Sequence, residues 1–87
     1  MIEGKTTSGF EFKIAYETLD NWDLFEALTE MDKGNVIVIA DVAHMLLGEE
    51  QLKRLKNHVK GICGRVSTES MIQEIEEILR SSETGKN

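Results

Sequence analysis

Cys63 and His58 are the pair of side chains in this sequence that could supply a nucleophile and a base, and they stand five residues apart. Nucleophilic catalysis needs the base within hydrogen-bond reach of the nucleophile and a third group to orient the base. No third group stands at a useful spacing from either residue, so Cys63 reads as a small core or turn residue. Asp41 and His44 can meet on one helix face, but structural zinc sites are built from paired Cys or His at short spacings, and the sequence has no such pair. His44 is expected beside the core and His58 on a wet face. The neighbouring carboxylates Glu49-Glu50 and Glu76-Glu77 diverge on a helix, and Gly61 and Gly64 match no nucleotide-binding pattern. No catalytic residue, metal or cofactor is expected. The chain reads as a non-enzymatic protein that works by binding.

The clearest pattern lies in the second half. Residues 49–62 place Leu52, Leu55, Val59 and Ile62 at helical spacing, with Lys53, Arg54, Lys56 and Lys60 between them. Residues 69–80 repeat the design with Ile72, Ile75, Ile78 and Leu79 inside and Glu69, Glu74, Glu76 and Glu77 outside. These two amphipathic helices carry opposite charge on their wet sides. Gly61-Ile62-Cys63-Gly64 is expected to turn the chain between them, and Ser67 or Thr68 to cap the second.

Earlier in the chain, Phe10, Phe12, Ile14 and Tyr16 alternate with polar residues and predict a strand with one apolar face. Thr7-Ser8-Gly9 is a turn signal, so residues 2–6 supply the other arm of a hairpin. Asp20 is placed to cap a helix, with Leu19 closing over Leu24 as a hydrophobic staple. Phe25, Leu28 and Met31 continue its stripe, and Gly34 ends it with a left-handed cap. Val36-Ile37-Val38-Ile39 could form a buried strand, but Ala43, Met45 and Leu46 favour a helix. Asn35 as cap and Gly48 as stop predict one nearly all-round apolar helix over 36–47, buried at the centre.

The predicted fold is therefore α+β and mainly α. An amino-terminal β-hairpin precedes a compact four-helix domain, with helices near 20–32, 36–47, 49–61 and 68–81. Residues 1–81 form one domain, and 82–87, without an apolar residue, are expected to be a disordered tail.

A chain of 87 residues buries only roughly 60–65% of its unfolded surface, which favours support from a partner. One cysteine allows no internal disulfide and suits a reducing cytoplasm. No apolar run reaches membrane-spanning length, and residues 1–5 do not open a signal peptide. Residues 1–50 carry eleven acids and three bases, whereas residues 51–65 carry five bases and no acid. The basic helix could neutralise acidic neighbours within one molecule, or pair copies head to tail. Helices two and three outline a helix-turn-helix, yet the acidic surroundings and the net charge of −6 repel phosphate, so no nucleic acid is expected as partner. Candidate protein-binding residues are Phe10, Phe12, Tyr16 and Trp22, with Lys53, Arg54, Lys56 and Lys60.

The order of segments carries a resemblance. Gly9-Phe10-Glu11-Phe12-Lys13-Ile14 is followed by Leu19-Asp20-Asn21-Trp22-Asp23-Leu24-Phe25-Glu26-Ala27-Leu28, then by Leu46-Leu47-Gly48-Glu49-Glu50-Gln51 and Gly64-Arg65-Val66-Ser67, before an acidic amphipathic helix. Over residues 8–80 this resembles the small tail assembly chaperones of long-tailed bacteriophages and prophages. The resemblance implies a protein of the bacterial host cytoplasm that is absent from the finished virion. Its partners would be the tape measure protein, which it coats, and the tail tube protein, whose polymerisation it assists. It also implies a longer form made by frameshifting near the end of the reading frame. Self-association into a homo-oligomer is expected, and no membrane partner. The alternative is a small acidic regulatory or inhibitory adaptor that binds a host protein.

Overall fold

The computed structural model describes residues 1–84. It opens with β1 (Ile2–Lys5) and β2 (Glu11–Ile14), paired antiparallel with Ile2 opposite Ile14 and Gly4 opposite Phe12. At the turn, Thr6 N–H donates to Phe10 O at 2.8 Å and Gly9 N–H to Thr6 O at 2.9 Å. The hairpin's inner face is Ile2, Phe10, Phe12 and Ile14, all buried. The far end of the Phe12 ring lies against Gly4, where an added Cβ would come within 2.6 Å of Cζ. A bare backbone is what lets the ring settle there.

The expected strand stops sooner than its alternation. Tyr16 leaves the sheet to begin α1 (Tyr16–Leu19) and is exposed. Without a third strand to extend against, β2 ends where β1 runs out of partners.

Next comes α2 (Trp22–Asp32). Its cap is Asn21, whose side chain accepts from Asp23 N–H at 2.9 Å, rather than Asp20, which closes α1. The helix ends as expected at Gly34, which has φ +97°. Gly34 N–H donates to Met31 O and Asn35 N–H to Glu30 O, the paired bonds of a Schellman motif.

Residues 36–47 depart most from expectation. Val36–Val38 form a single 3-10 turn, and α3 starts only at Ile39. Asn35 makes no side-chain capping bond. Val36 and Ile37 are exposed, Ile37 at 85%. The helix is not buried all round: Val42, Ala43, Leu46 and Leu47 face the core, while Ala40, Asp41 and His44 face out. One stripe suffices to seat a helix on the surface of so small a core.

Helix α3 (Ile39–Cys63) breaks at Gly48, where φ is +76° and ψ is 169°. That backbone region is essentially restricted to glycine. The break re-aims the second limb, residues 49–63, so that Leu52, Leu55 and Val59 continue the buried stripe. This limb runs past the expected turn to Cys63 and stops at Gly64, with φ +82°. Ile62, expected inside, is 61% exposed because the core ends below it.

Ser67 then caps α4 (Thr68–Thr84), its hydroxyl accepting from Ser70 N–H at 3.3 Å. Ile75 and Ile78 are buried, and Ile72 and Leu79 half-buried. The helix continues beyond residue 81, because Ser82 is buried and its hydroxyl donates to Ile78 O at 2.9 Å. Residues 82–84 are therefore helical, not part of the disordered tail expected over 82–87. Its residues 85–87 lie outside the described residues.

Gly48→Ala should cost about 1–3 kcal/mol through the strained backbone it forces. Leu55→Ala should cost about 2–5 kcal/mol through a cavity. Urea unfolding followed by circular dichroism checks both, with Ile37→Ala expected to stay within about 0.5 kcal/mol of the parent.

Candidate protein-binding surface

Two groups of side chains stand out on this scaffold, one polar and one apolar. The polar group forms where the hairpin turn meets the second limb of α3 and α4. Thr6 Oγ1 donates to Glu74 Oε1 at 2.8 Å, and Ser8 Oγ donates to Glu74 Oε2 at 2.9 Å. Ser8 has a single hydroxyl proton, so His58 Nε2, 3.0 Å away, must be the donor to Ser8. Glu77 accepts from the Thr7 N–H and hydroxyl. Glu74 is thus buried, not on the wet side where its spacing alone would put it. The hairpin turn, whose Thr6 and Ser8 hydroxyls donate to it, is what covers it.

Serine, histidine and a carboxylate within hydrogen-bond distance invite a catalytic reading, which the bond directions oppose. A nucleophile passes its proton to the imidazole; here the imidazole donates to the hydroxyl. The carboxylate holds the hydroxyl and does not orient the ring. The cluster instead fastens the turn to both helices, and no buried side-chain polar atom is left unpaired among the described residues. Cys63 lies elsewhere, exposed, with its Sγ 3.3 Å from Ser70 Oγ. Among the described residues no three His, Cys, Asp or Glu gather to hold a metal, and no helix is long and apolar enough to cross a membrane. His44, expected beside the core, is exposed, and His58 is half-buried.

The predicted binding residues divide three ways. Phe10 and Phe12 are core residues, closed to any partner. Arg54 lies 5.3 Å over the Phe10 ring, with His58 against the same ring at 5.7 Å. Such a cation–π contact is worth about 0.5–1 kcal/mol at an exposed site. Arg54 therefore helps close the hairpin. Tyr16 and Trp22 are exposed, as are Lys53, Lys56 and Lys60. None of these three lysines, nor Arg54 or Arg65, makes an ion pair among the described residues.

The free edge of β2 is also partly closed. The Gln51 amide accepts from Lys13 N–H and donates to Lys13 O, both at 2.8 Å, and donates to Leu47 O at 3.0 Å. One side chain thus stands in for a strand neighbour, which guards against edge-to-edge pairing.

The apolar group is on α2. Trp22 and Phe25 stack with ring centroids 5.3 Å apart, yet are 69% and 58% exposed. Their face runs into a groove floored by Leu19, Leu24, Leu28, Met31 and Leu79 and edged by Thr29, Asp32 and Ser82. Phe25 and Leu79 were both expected to be core residues. Spacing puts both on apolar stripes, but the fold leaves a groove between α2 and the end of α4, so these two side chains line its wall rather than closing on each other. Comparison with protein-family models, with curated proteins and with solved structures finds no match to this chain.

Removing the central carboxylate tests the polar cluster. Glu74→Ala removes the carboxylate that accepts from the Thr6 and Ser8 hydroxyls and should cost about 1–3 kcal/mol, read by thermal unfolding. Lys56→Ala, on the exposed face of the same assembly, should change stability by less than about 0.5 kcal/mol.

Proposed function

We propose that this protein is a non-enzymatic tail assembly chaperone of a long-tailed bacteriophage or prophage, which binds the tape measure protein and assists polymerisation of the tail tube protein around it. The observation that carries the reading is the stacked Trp22–Phe25 pair, held open to solvent beside an apolar groove. Aromatic side chains so exposed offer large contact area at small entropic cost, and are the usual anchors of protein interfaces. A long helical client presents an apolar stripe of matching kind.

The rest of the scaffold suits this task. Asn21 and Gly34 cap α2 at both ends, so the anchors ride on a rigid element. The net charge of −6 keeps a protein with exposed aromatics soluble. A chaperone needs affinity and release, not chemistry. The order of segments over residues 8–80 supplies the identity of the client.

Trp22 is the single tryptophan, so its fluorescence reads occupancy of this face directly. Titration with tape measure segments should shift its emission to shorter wavelength and reduce acrylamide quenching. Phe25→Ala should weaken that titration at least about tenfold, as a hot-spot anchor does. Trp22→Ala should likewise lose capture of tape measure segments in a pull-down, with the circular dichroism of both variants unchanged. A chain that ignores tape measure segments and retains a host regulatory protein instead would replace this reading with that of an acidic adaptor.

A further inference from the structure

The groove beside Trp22 and Phe25 is apolar inside and acidic around. Residues 14–32, which supply most of its wall, carry six acids and no base. Of these six, Glu30 is paired with Lys33 at 3.6 Å. The other five, Glu17, Asp20, Asp23, Glu26 and Asp32, are exposed and make no ion pair among the described residues. Two of them share a face with the aromatic anchors. Glu26 stands one helical turn beyond Trp22, and Asp32, two turns beyond Phe25, lines the groove itself. These two carboxylates stand roughly 9 Å apart along the axis of α2. No Lys or Arg lines the groove among the described residues.

From this we infer that the groove selects a basic amphipathic helix: a segment of another protein whose apolar stripe lies against Leu28, Met31 and Leu79, with Lys or Arg beside the stripe to meet Glu26 and Asp32. The inference rests on the reading of this face as the client-binding site, and adds the charge the client must carry. Covering Trp22 and Phe25 draws water away from the carboxylates next to them. A carboxylate that loses water needs a cation or a donor in its place. A helix with acidic flanks would bring like charges together, and one with apolar flanks would leave Glu26 and Asp32 without a partner. The same acids repel the phosphates of nucleic acid and of anionic lipid, which an apolar groove with stacked aromatics could otherwise take. Charges at the rim of a contact act more on the choice of partner and the rate of encounter than on affinity. Phe25 and Trp22 hold the client, and the carboxylates choose it.

Two synthetic helical peptides without tryptophan test it on the full chain. They share one apolar stripe and carry flanking charges about seven residues apart, Lys in one and Glu in the other. Trp22 emission reads their binding. At low salt the Lys peptide should bind at least about tenfold tighter than the Glu peptide. The gap should close as the screening length falls to about 3 Å at 1 M. The double variant Glu26→Gln, Asp32→Asn, with unchanged circular dichroism, should lose most of that preference and still bind the apolar stripe. Equal binding of the two peptides to the parent, a preference for the Glu peptide, or a preference that the double variant keeps overturns the inference. So does a groove filled by a second copy of the chain, seen as Trp22 emission that changes with protein concentration and ignores the Lys peptide. Failure of the chaperone reading looks different. A Lys peptide that binds as expected while tape measure segments do not removes that reading and leaves the inference standing. Tape measure segments that bind parent and double variant equally do the reverse.

Discussion

Two strands cannot bury their own apolar face, and most of this structure is the solution to that problem. A lone hairpin is marginal in water. Here Ile2, Phe10, Phe12 and Ile14 all lie on the inner side, and the helices are arranged to cover them. The break at Gly48 is what permits this. An unbroken helix over residues 39–63 would carry its stripe in one direction. The left-handed residue instead turns the second limb so that Leu52, Leu55 and Val59 join Val42 and Leu46 in one core. Polar contacts then hold the hairpin at three places: Glu74 and Glu77 at its turn, Gln51 on its edge, and Arg54 with His58 over Phe10.

Much of that architecture is legible in the sequence because it rests on local rules. The hairpin follows from the alternation of Phe10, Phe12 and Ile14, and the helix ends follow from Gly34, Gly48, Gly64 and Ser67. Buried stripes at Leu52, Leu55 and Val59, and at Ile75 and Ile78, follow from spacing. What escapes is set by length and neighbours. Tyr16 continues the alternation, but among the described residues β1 alone pairs with β2, and it does not reach that far. Val36 and Ile37 look like core residues by composition and lie outside because one helical stripe already fills the space. Glu74 looks solvated until the hairpin turn arrives over it with two hydroxyls.

The binding surface was harder to read, for a physical reason. Hydrophobic periodicity reports which residues share a face, and it cannot report how much of that face a neighbour covers. Trp22 and Phe25 were both visible as apolar residues near the stripe of α2, and only the packed structure separates Leu24, buried, from Phe25 at its edge. The charge pattern carried the complementary hint. A run of five bases without an acid in residues 51–65 implied a partner for them, inside the molecule or outside it. The fold leaves Lys53, Lys56, Lys60 and Arg65 pointing outward without an ion pair among the described residues.

These exposed groups cost the isolated molecule something, and that cost constrains what the protein is for. Phe25, Ile37 and Ile62 forgo most of the roughly 1.5–3 kcal/mol that full burial of each would bring, in a domain whose total stability is of order 5–15 kcal/mol. Val36 and Ile37 lie in an exposed turn where polar residues would fit equally well. A surface kept apolar on capped, well-packed helices is the kind of surface the proposed function requires, since contact with another chain would bury it. On that reading, anchors held on a helix capped at both ends by Asn21 and Gly34 would lose less entropy when such a contact forms, and the net charge of −6 would favour a partner of matching charge.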